Sequence, residues 1–201
     1  LSRGIYQVLI GESPAEDTVV HTRFGDVLPS NKSLAGAGIE LITMDRREFL
    51  LQDALNQIAD RYDYIFIDCP PSLELLTLNA LCAADAILVP VQGEYFALEG
   101  LSDLMNTVRI VRRSLNPKLE LEGVLLTMFD GRTNLALQVA EEVKHYFPGK
   151  VYATVIPRNV RLSEAPSHGK PITAYDRSSR GAEAYTALAA EFLKKQNKQS
   201  A

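Results

Sequence analysis

The 201-residue sequence lacks long hydrophobic runs and has only two cysteines and three histidines. No apolar stretch approaches the roughly 20 residues that a membrane-spanning helix needs, so no transmembrane helix is expected. Cys69 and Cys82 form no C-x-x-C pair, and two cysteines are too few for a secreted disulfide framework. His21, His145 and His168 are too scattered to suggest a metal cluster. These absences indicate a cytoplasmic protein.

The sequence also lacks a glycine-rich phosphate-binding loop. G-x-x-x-x-G-K-[ST] does not occur, because the Gly-Lys pairs at 149–150 and 169–170 are followed by valine and proline. The stretch AGAGIE at 35–40 lacks the third glycine of G-x-G-x-x-G and follows no apolar strand. The residues alone therefore predict no phosphate-binding loop.

The composition is that of an ordinary globular chain, with 46% hydrophobic and 23% charged residues. The net charge of -4 argues against a wholly basic nucleic-acid binder. Residues 150–180 are nevertheless basic, with Glu164 and Asp176 against six cations: Lys150, Arg158, Arg161, Lys170, Arg177 and Arg180. Such a segment is either a solvated surface or a local face that binds a phosphate backbone.

The hydrophobic pattern alternates helices with short strands. Helices are predicted over 47–61, 73–83, 98–115, 134–146 and 181–195, and strands over 64–67, 86–91, 121–129 and 150–157. The strand YIFI (64–67) is uniformly apolar, as expected when both faces of a parallel sheet are covered. The pattern predicts a three-layer α/β/α fold with a mostly parallel sheet, forming one domain over 1–196 with a polar tail over 197–201.

Ligands of such sheets bind at the carboxyl ends of the strands. Asp68 directly follows YIFI, and a carboxylate there can bind Mg²⁺ directly or through water. Pro70 and Pro71 then remove two backbone donors and stiffen the exit from the strand. The alternative is an aspartate that only caps a helix or stabilises a turn.

Two further strand ends carry polar residues. In TMFDGRTN, Thr133 or Asn134 could cap the following helix, which would leave Arg132 exposed and free to meet a phosphate. A stiff loop bounded by prolines and containing two arginines is predicted for residues 156–171, IPRNVRLSEAPSHGKP. Its backbone carbonyls and the Asn159 amide could contact an adenine edge.

Four stretches together carry a family resemblance: YDYIFIDCPPSLELLTLNAL, VPVQGEYFALEGL, EGVLLTMFDGRTNL and VIPRNVRLSEAPSHGKPI. They resemble the ParA/Soj family of chromosome- and plasmid-partitioning ATPases, relatives of MinD with a deviant Walker A motif. The resemblance runs from about residue 5 to residue 192. It implies a P-loop NTPase fold of the SIMIBI type, with ATP and Mg²⁺ as cofactors and an ATP-bound homodimer. It also implies nonspecific DNA binding in a cytoplasmic, nucleoid-associated protein, and ATP hydrolysis stimulated by a ParB/Spo0J-like centromere-binding partner.

The same resemblance assigns roles to residues. Asp68 matches the Walker B acid, which is catalytic and lies near Mg²⁺. The base site would comprise Met128 and the Pro157-Arg158-Asn159 segment. Four cations match or extend the family's DNA-binding positions: Arg132, Arg161, Lys170 and Arg180.

One departure from the family is large. The family's KGGxGKT loop and its flanking elements, roughly 50 residues or more than one βαβ unit, would precede the position that matches Leu1. Because the chain begins without methionine, a fragment or processed chain is expected. Such a chain would be inactive alone. Open strand edges would also make it less stable than a full domain, or would be completed by another chain.

Two alternatives stay open. A MinD-like cell-division ATPase would need a basic amphipathic C-terminal helix to act on membranes, whereas the apolar stripe of helix 181–195 reads as core packing and the tail has no anchor. A non-catalytic DNA-binding or regulatory protein could keep the scaffold without the phosphate loop.

Overall fold

The computed structural model describes residues 3–70, 72 and 74–199. The chain forms two compact units, one from Leu1–Asp85 with Leu104–Glu120 and one from Ala86–Asp103 with Leu121–Ala201. This division concerns packing, and the assignment of one ATPase domain to residues 1–196 stays a prediction. Each unit is described separately below.

The first unit is mainly helical. Its short hairpin pairs Val20 with Val27 and turns at Arg23 and Phe24, and Gly25, which begins the second strand, has a φ of 132° that favours glycine. Its elements are α1 (Ile5–Leu9), β1 (Val20–Thr22), β2 (Gly25–Val27), α2 (Leu34–Leu41), α3 (Leu50–Leu55), a 3-10 turn (Ala59–Arg61) and α4 (Leu75–Ala83).

Two asparagine side chains, one buried and one half-buried, join the helices of this unit. The Asn79 side chain is buried, accepts a hydrogen bond from the Leu51 amide at 3.1 Å, and donates to the Arg47 carbonyl at 2.7 Å. Asn116 donates to the carbonyls of residues 81, 82 and 84 at 3.0, 3.2 and 2.8 Å. These side chains satisfy groups that helix ends leave unpaired. Around them packs an apolar cluster of Leu9, Ala37, Leu41, Leu51 and Ala80.

The second unit holds the α/β part of the chain. Strands β3 and β4 are neighbours in one sheet, and residues 150–158 run parallel to β4 with bridges at Val124–Val151 and Phe129–Pro157. Its elements are β3 (Ala86–Gln92), β4 (Glu120–Thr127), α6 (Asn134–Tyr146), α7 (Val160–Glu164), a 3-10 turn (Ala165–His168), α8 (Ile172–Tyr175) and α9 (Arg180–Gln199). Helix α5 (Ala97–Ser114) begins in this unit and ends in the first.

Helix α9 is attached to the sheet by polar contacts. The Tyr152 hydroxyl donates to Glu122 at 2.7 Å, and Gln196 donates to the other Glu122 oxygen at 2.9 Å. Glu191 accepts the amides of Ala153 and Thr154, both at 2.8 Å. Burial opposes ionisation of Glu191, but these amides outweigh it and hold its pKa below the usual value.

Most predicted elements are confirmed with small shifts of their ends. The predicted strands at 86–91 and 121–129 appear as β3 and β4, and the predicted helices at 98–115, 134–146 and 181–195 appear as α5, α6 and α9. The predicted helix at 73–83 begins at Leu75, and Leu73 lies outside the described residues. Helix α9 includes the first three residues of the predicted tail, 197–199.

The predicted strand at 64–67 is wrong for this structure. Residues 62–70 form no strand, and Tyr64, Ile65 and Phe66 are 44%, 41% and 74% exposed. An apolar run becomes a strand only when a neighbour takes its backbone hydrogen bonds, and no described strand pairs with it.

Three other predictions need correction. The helix over 47–61 shortens to α3 and a 3-10 turn, because the Asn79 side chain caps its start and Asn56, a weak helix former, ends it. Residues 150–157 form isolated bridges, since Glu191 takes the Ala153 and Thr154 amides. The proline-bounded loop contains α7, a 3-10 turn and α8.

Candidate functional site

Asp68 is the candidate site residue of the first unit. It is exposed at the end of the extended segment 64–70, and Pro71 lies outside the described residues. Burial of the Cys69 sulfur and the Asp68 charge raise the pKa of that thiol, although the residue as a whole is exposed. Cys69 therefore stays protonated at neutral pH, which disfavours a nucleophilic role.

The donor set around Asp68 suits Mg²⁺ only together with a ligand. No group of three or more histidine, cysteine or acidic side chains that could hold a metal occurs in the described part of the chain. Magnesium usually takes one or two carboxylates and completes its shell with phosphates and water. The single exposed carboxylate of Asp68 is the kind of ligand that such a magnesium ion would take.

The second unit brings the predicted base-site residues to one edge of its sheet. Phe129 donates its amide to the Ile156 carbonyl at 3.1 Å, and Arg158 donates its amide to the Phe129 carbonyl at 3.4 Å. This pairing places the Met128 turn beside the Pro157-Arg158-Asn159 segment. Met128 is 43% exposed and has a φ of 46°, which is uncommon outside glycine and typical of functional turns.

Asn159 begins α7. Its side-chain oxygen accepts the Arg161 amide at 2.9 Å, so the residue acts as the N-cap. The oxygen is therefore engaged within the chain, and the side-chain NH₂ is the part of the amide left for an adenine edge.

Arg132 is held by its own turn. Its Nε donates to Asp130 Oδ1 at 2.8 Å, and its Nη2 donates to Oδ2 at 2.6 Å. These hydrogen bonds and the Arg132 backbone amide lower the pKa of Asp130 to about 2. Thr133, rather than Asn134, caps α6 by accepting the Ala136 amide.

Arg161 is held in a similar way by two carboxylates. Its Nη1 lies 2.8 Å from Glu164 and its Nε lies 3.4 Å from Asp176, which follows α8. Tyr175 donates its hydroxyl to Glu164 at 3.1 Å and stacks on His168 with ring centroids 4.8 Å apart. The arginine first, and then Tyr175, lower the pKa of Glu164.

The remaining predicted cations are arranged differently. Arg158, Lys170 and Arg180 are exposed, and none of them forms an ion pair with a carboxylate of the described chain. Sequence reasoning missed the carboxylates that face the two paired arginines. The i, i+3 spacing of Arg161 and Glu164 was a usable signal, whereas the Asp176 contact depends on the fold.

Comparison with known proteins identifies the family of this chain. The model of the AAA domain family matches residues 1–121. The sporulation initiation inhibitor protein Soj of Bacillus subtilis is 59% identical over 189 residues, covering 93% of this chain and 75% of that protein. The chromosome partitioning protein ParA of Myxococcus xanthus is 53% identical over 198 residues, covering 98% of this chain and 70% of that protein. The chain belongs to the ParA/Soj family of chromosome-partitioning ATPases.

A solved structure supports the fold class. Cobyrinic acid a,c-diamide synthase of Mycobacterium smegmatis, with a bound ATP analogue and magnesium, superposes with a TM-score of 0.82 at 34% identity. The match covers 98% of this chain and 74% of that one. The predicted α/β class of P-loop ATPases is thereby confirmed. Among the helices described, none is long and apolar enough to span a membrane.

Proposed function

We propose that this chain serves in chromosome or plasmid partitioning as part of an ATPase whose homodimer binds DNA without sequence preference. The observation that carries the proposal is the 59% identity to Soj across 93% of the chain. In this proposal one domain over 1–196 acts in the cytoplasm on the nucleoid, and a ParB/Spo0J-like protein stimulates ATP hydrolysis.

Four exposed cations form the proposed DNA-binding surface: Arg132, Arg161, Lys170 and Arg180. Helix α7 contacts the following 3-10 turn, α8 and α9. Arg161 lies in α7, Lys170 lies between the 3-10 turn and α8, and Arg180 begins α9. Contacts from cations to phosphate fix a protein on DNA without reading its bases. This arrangement suits a partner that is a DNA backbone of any sequence.

Each unit contributes candidate nucleotide-binding residues of its own. Asp68 would hold Mg²⁺, while Met128, Pro157, Arg158 and Asn159 would hold the base. When bound, the ion neutralises charge on the phosphates. The sequence supplies no G-x-x-x-x-G-K-[ST] loop for those phosphates, so we expect the purified chain not to hydrolyse ATP by itself.

Steady-state ATP turnover tests this expectation. The purified chain should release no more phosphate than its Asp68→Ala variant, with and without Mg²⁺. Turnover that depends on Asp68 would contradict the expected inactivity.

The DNA-binding surface is tested by titrating a random-sequence duplex at several salt concentrations, with the chain alone and with a P-loop-bearing Soj protein and ATP. Arg132→Ala and Arg161→Ala should each weaken binding and reduce the salt slope by about 1. Arg46→Ala, an exposed arginine of the first unit, is the control and should change neither quantity. Equal effects of all three substitutions would contradict the assigned surface.

A second candidate is a non-catalytic DNA-binding regulator, which would use the same exposed cations. It predicts salt-sensitive DNA binding by the chain alone that ATP and the added Soj protein do not change. Binding that requires both additions would exclude it. A MinD-like membrane role predicts flotation with liposomes and is tested on the same protein.

A further inference from the structure

We propose that Asp130, and Glu164 together with Asp176, compete with DNA phosphate for the two arginines and so limit the chain's affinity for DNA. This inference rests on the proposed function, because it concerns the regulation of the same surface.

The first competitor is Asp130. It occupies Nε and one terminal nitrogen of Arg132, which is the edge of a guanidinium that pairs best with phosphate. The Arg132 backbone amide also donates to Asp130 at 3.1 Å, so the carboxylate is fixed in place. Arg132 itself is 89% exposed in its side chain, so solvent or DNA can reach it. A phosphate must therefore displace or share a bidentate partner.

Two further carboxylates compete for Arg161. Glu164 and Asp176 contact different nitrogens of Arg161, and Tyr175 holds Glu164 in place. These are the only two acidic residues between 150 and 180, and both meet the same arginine.

The unpaired cations provide the contrast. Lys170 and Arg180 belong to the same proposed surface but form no ion pair with a carboxylate of the described chain. Ion pairs with described acids are thus formed by two of the four cations. Exposed ion pairs are weak, so a phosphate can exchange with them, and the acids would modulate binding without abolishing it.

The test measures duplex affinity for Asp130→Asn and Glu164→Gln, under the same conditions as above. Each variant keeps the size of its side chain and should bind about two- to fivefold more tightly. Glu141→Gln, at an exposed acid of α6 with the same charge change, is the matched control for net charge. A thermal melt confirms that each variant folds.

Double variants decide whether the acid acts through its arginine. Asp130→Asn should give no gain in an Arg132→Ala background, and Glu164→Gln should give none in an Arg161→Ala background. A gain that persists there, or that Glu141→Gln matches, would overturn the inference, as would weaker binding by the acid variants. If the arginine variants lose affinity but the acid variants gain none, this inference fails and the DNA surface stands. If the arginine variants bind like the unaltered chain, or no protein binds DNA, the proposed surface fails and the inference with it.

Discussion

Similar apolar runs adopt different structures in the two units. In the second unit, residues 121–127 belong to β4, which has neighbours on both sides, and Leu126 is 2% exposed. In the first unit, residues 64–67 have the same character but form no strand. Both runs lead to a predicted site, Asp68 in one and the Met128 turn in the other. The comparison shows that partners for the backbone, rather than apolar residues alone, decide whether a strand forms.

The largest expected difference is in packing. Leu126→Ala should lower the free energy of unfolding by about 2–5 kcal/mol, because it removes a fully buried side chain from β4. Ile65→Ala should cost less than about 1 kcal/mol, because that side chain is already 41% exposed. Denaturant unfolding of both variants measures the contrast. Equal losses would mean that the run at 64–67 is packed in solution.

A smaller difference is expected between two tyrosine–glutamate hydrogen bonds. Tyr152→Phe should cost about 1–3 kcal/mol, because it leaves the buried Glu122 carboxylate short of a donor. Tyr6 donates to Glu40 at 2.9 Å on the surface of the first unit, and Tyr6→Phe should leave the thermal midpoint nearly unchanged. A larger loss from Tyr6→Phe than from Tyr152→Phe would reverse the ranking of the two contacts.

The smallest expected effect is on the pH at which two carboxylates, Asp130 and Asp26, titrate. The pKa of Asp130 is about 2, and that of Asp26 in the first unit is lowered by hydrogen bonds from His21 and then Tyr62. A lowered folded-state pKa contributes stability that is present above the unfolded value and is lost as the pH falls through the folded one. For Asp130 that loss should occur between about pH 4 and pH 2.

Carboxyl NMR titration of Arg132→Ala provides the check. It should move the Asp130 midpoint upward and leave Asp26 unchanged, since His21 and Tyr62, which lower the pKa of Asp26, are unaltered. An unmoved Asp130 midpoint would mean that the arginine is not its partner in solution.

Sequence patterns were sufficient where the cause of a structure is local. Helix α6 begins at the predicted residue because Thr133 caps it from the adjacent position. Patterns failed where the cause is distant, as with the Asn79 cap on α3, the Glu191 contacts, and the missing partner of residues 64–67. The contact of Arg161 with Asp176 was hidden for the same reason, since Asp176 lies 15 residues further along the chain.

The Glu191 contacts have a consequence for aggregation. The Ala153 and Thr154 amides are donors on a segment that pairs with β4 on one side, and exposed donors of this kind recruit strands from other molecules. A single carboxylate from the last helix occupies both of them. Helix α9 therefore protects this segment from intermolecular β-pairing in addition to packing in the core.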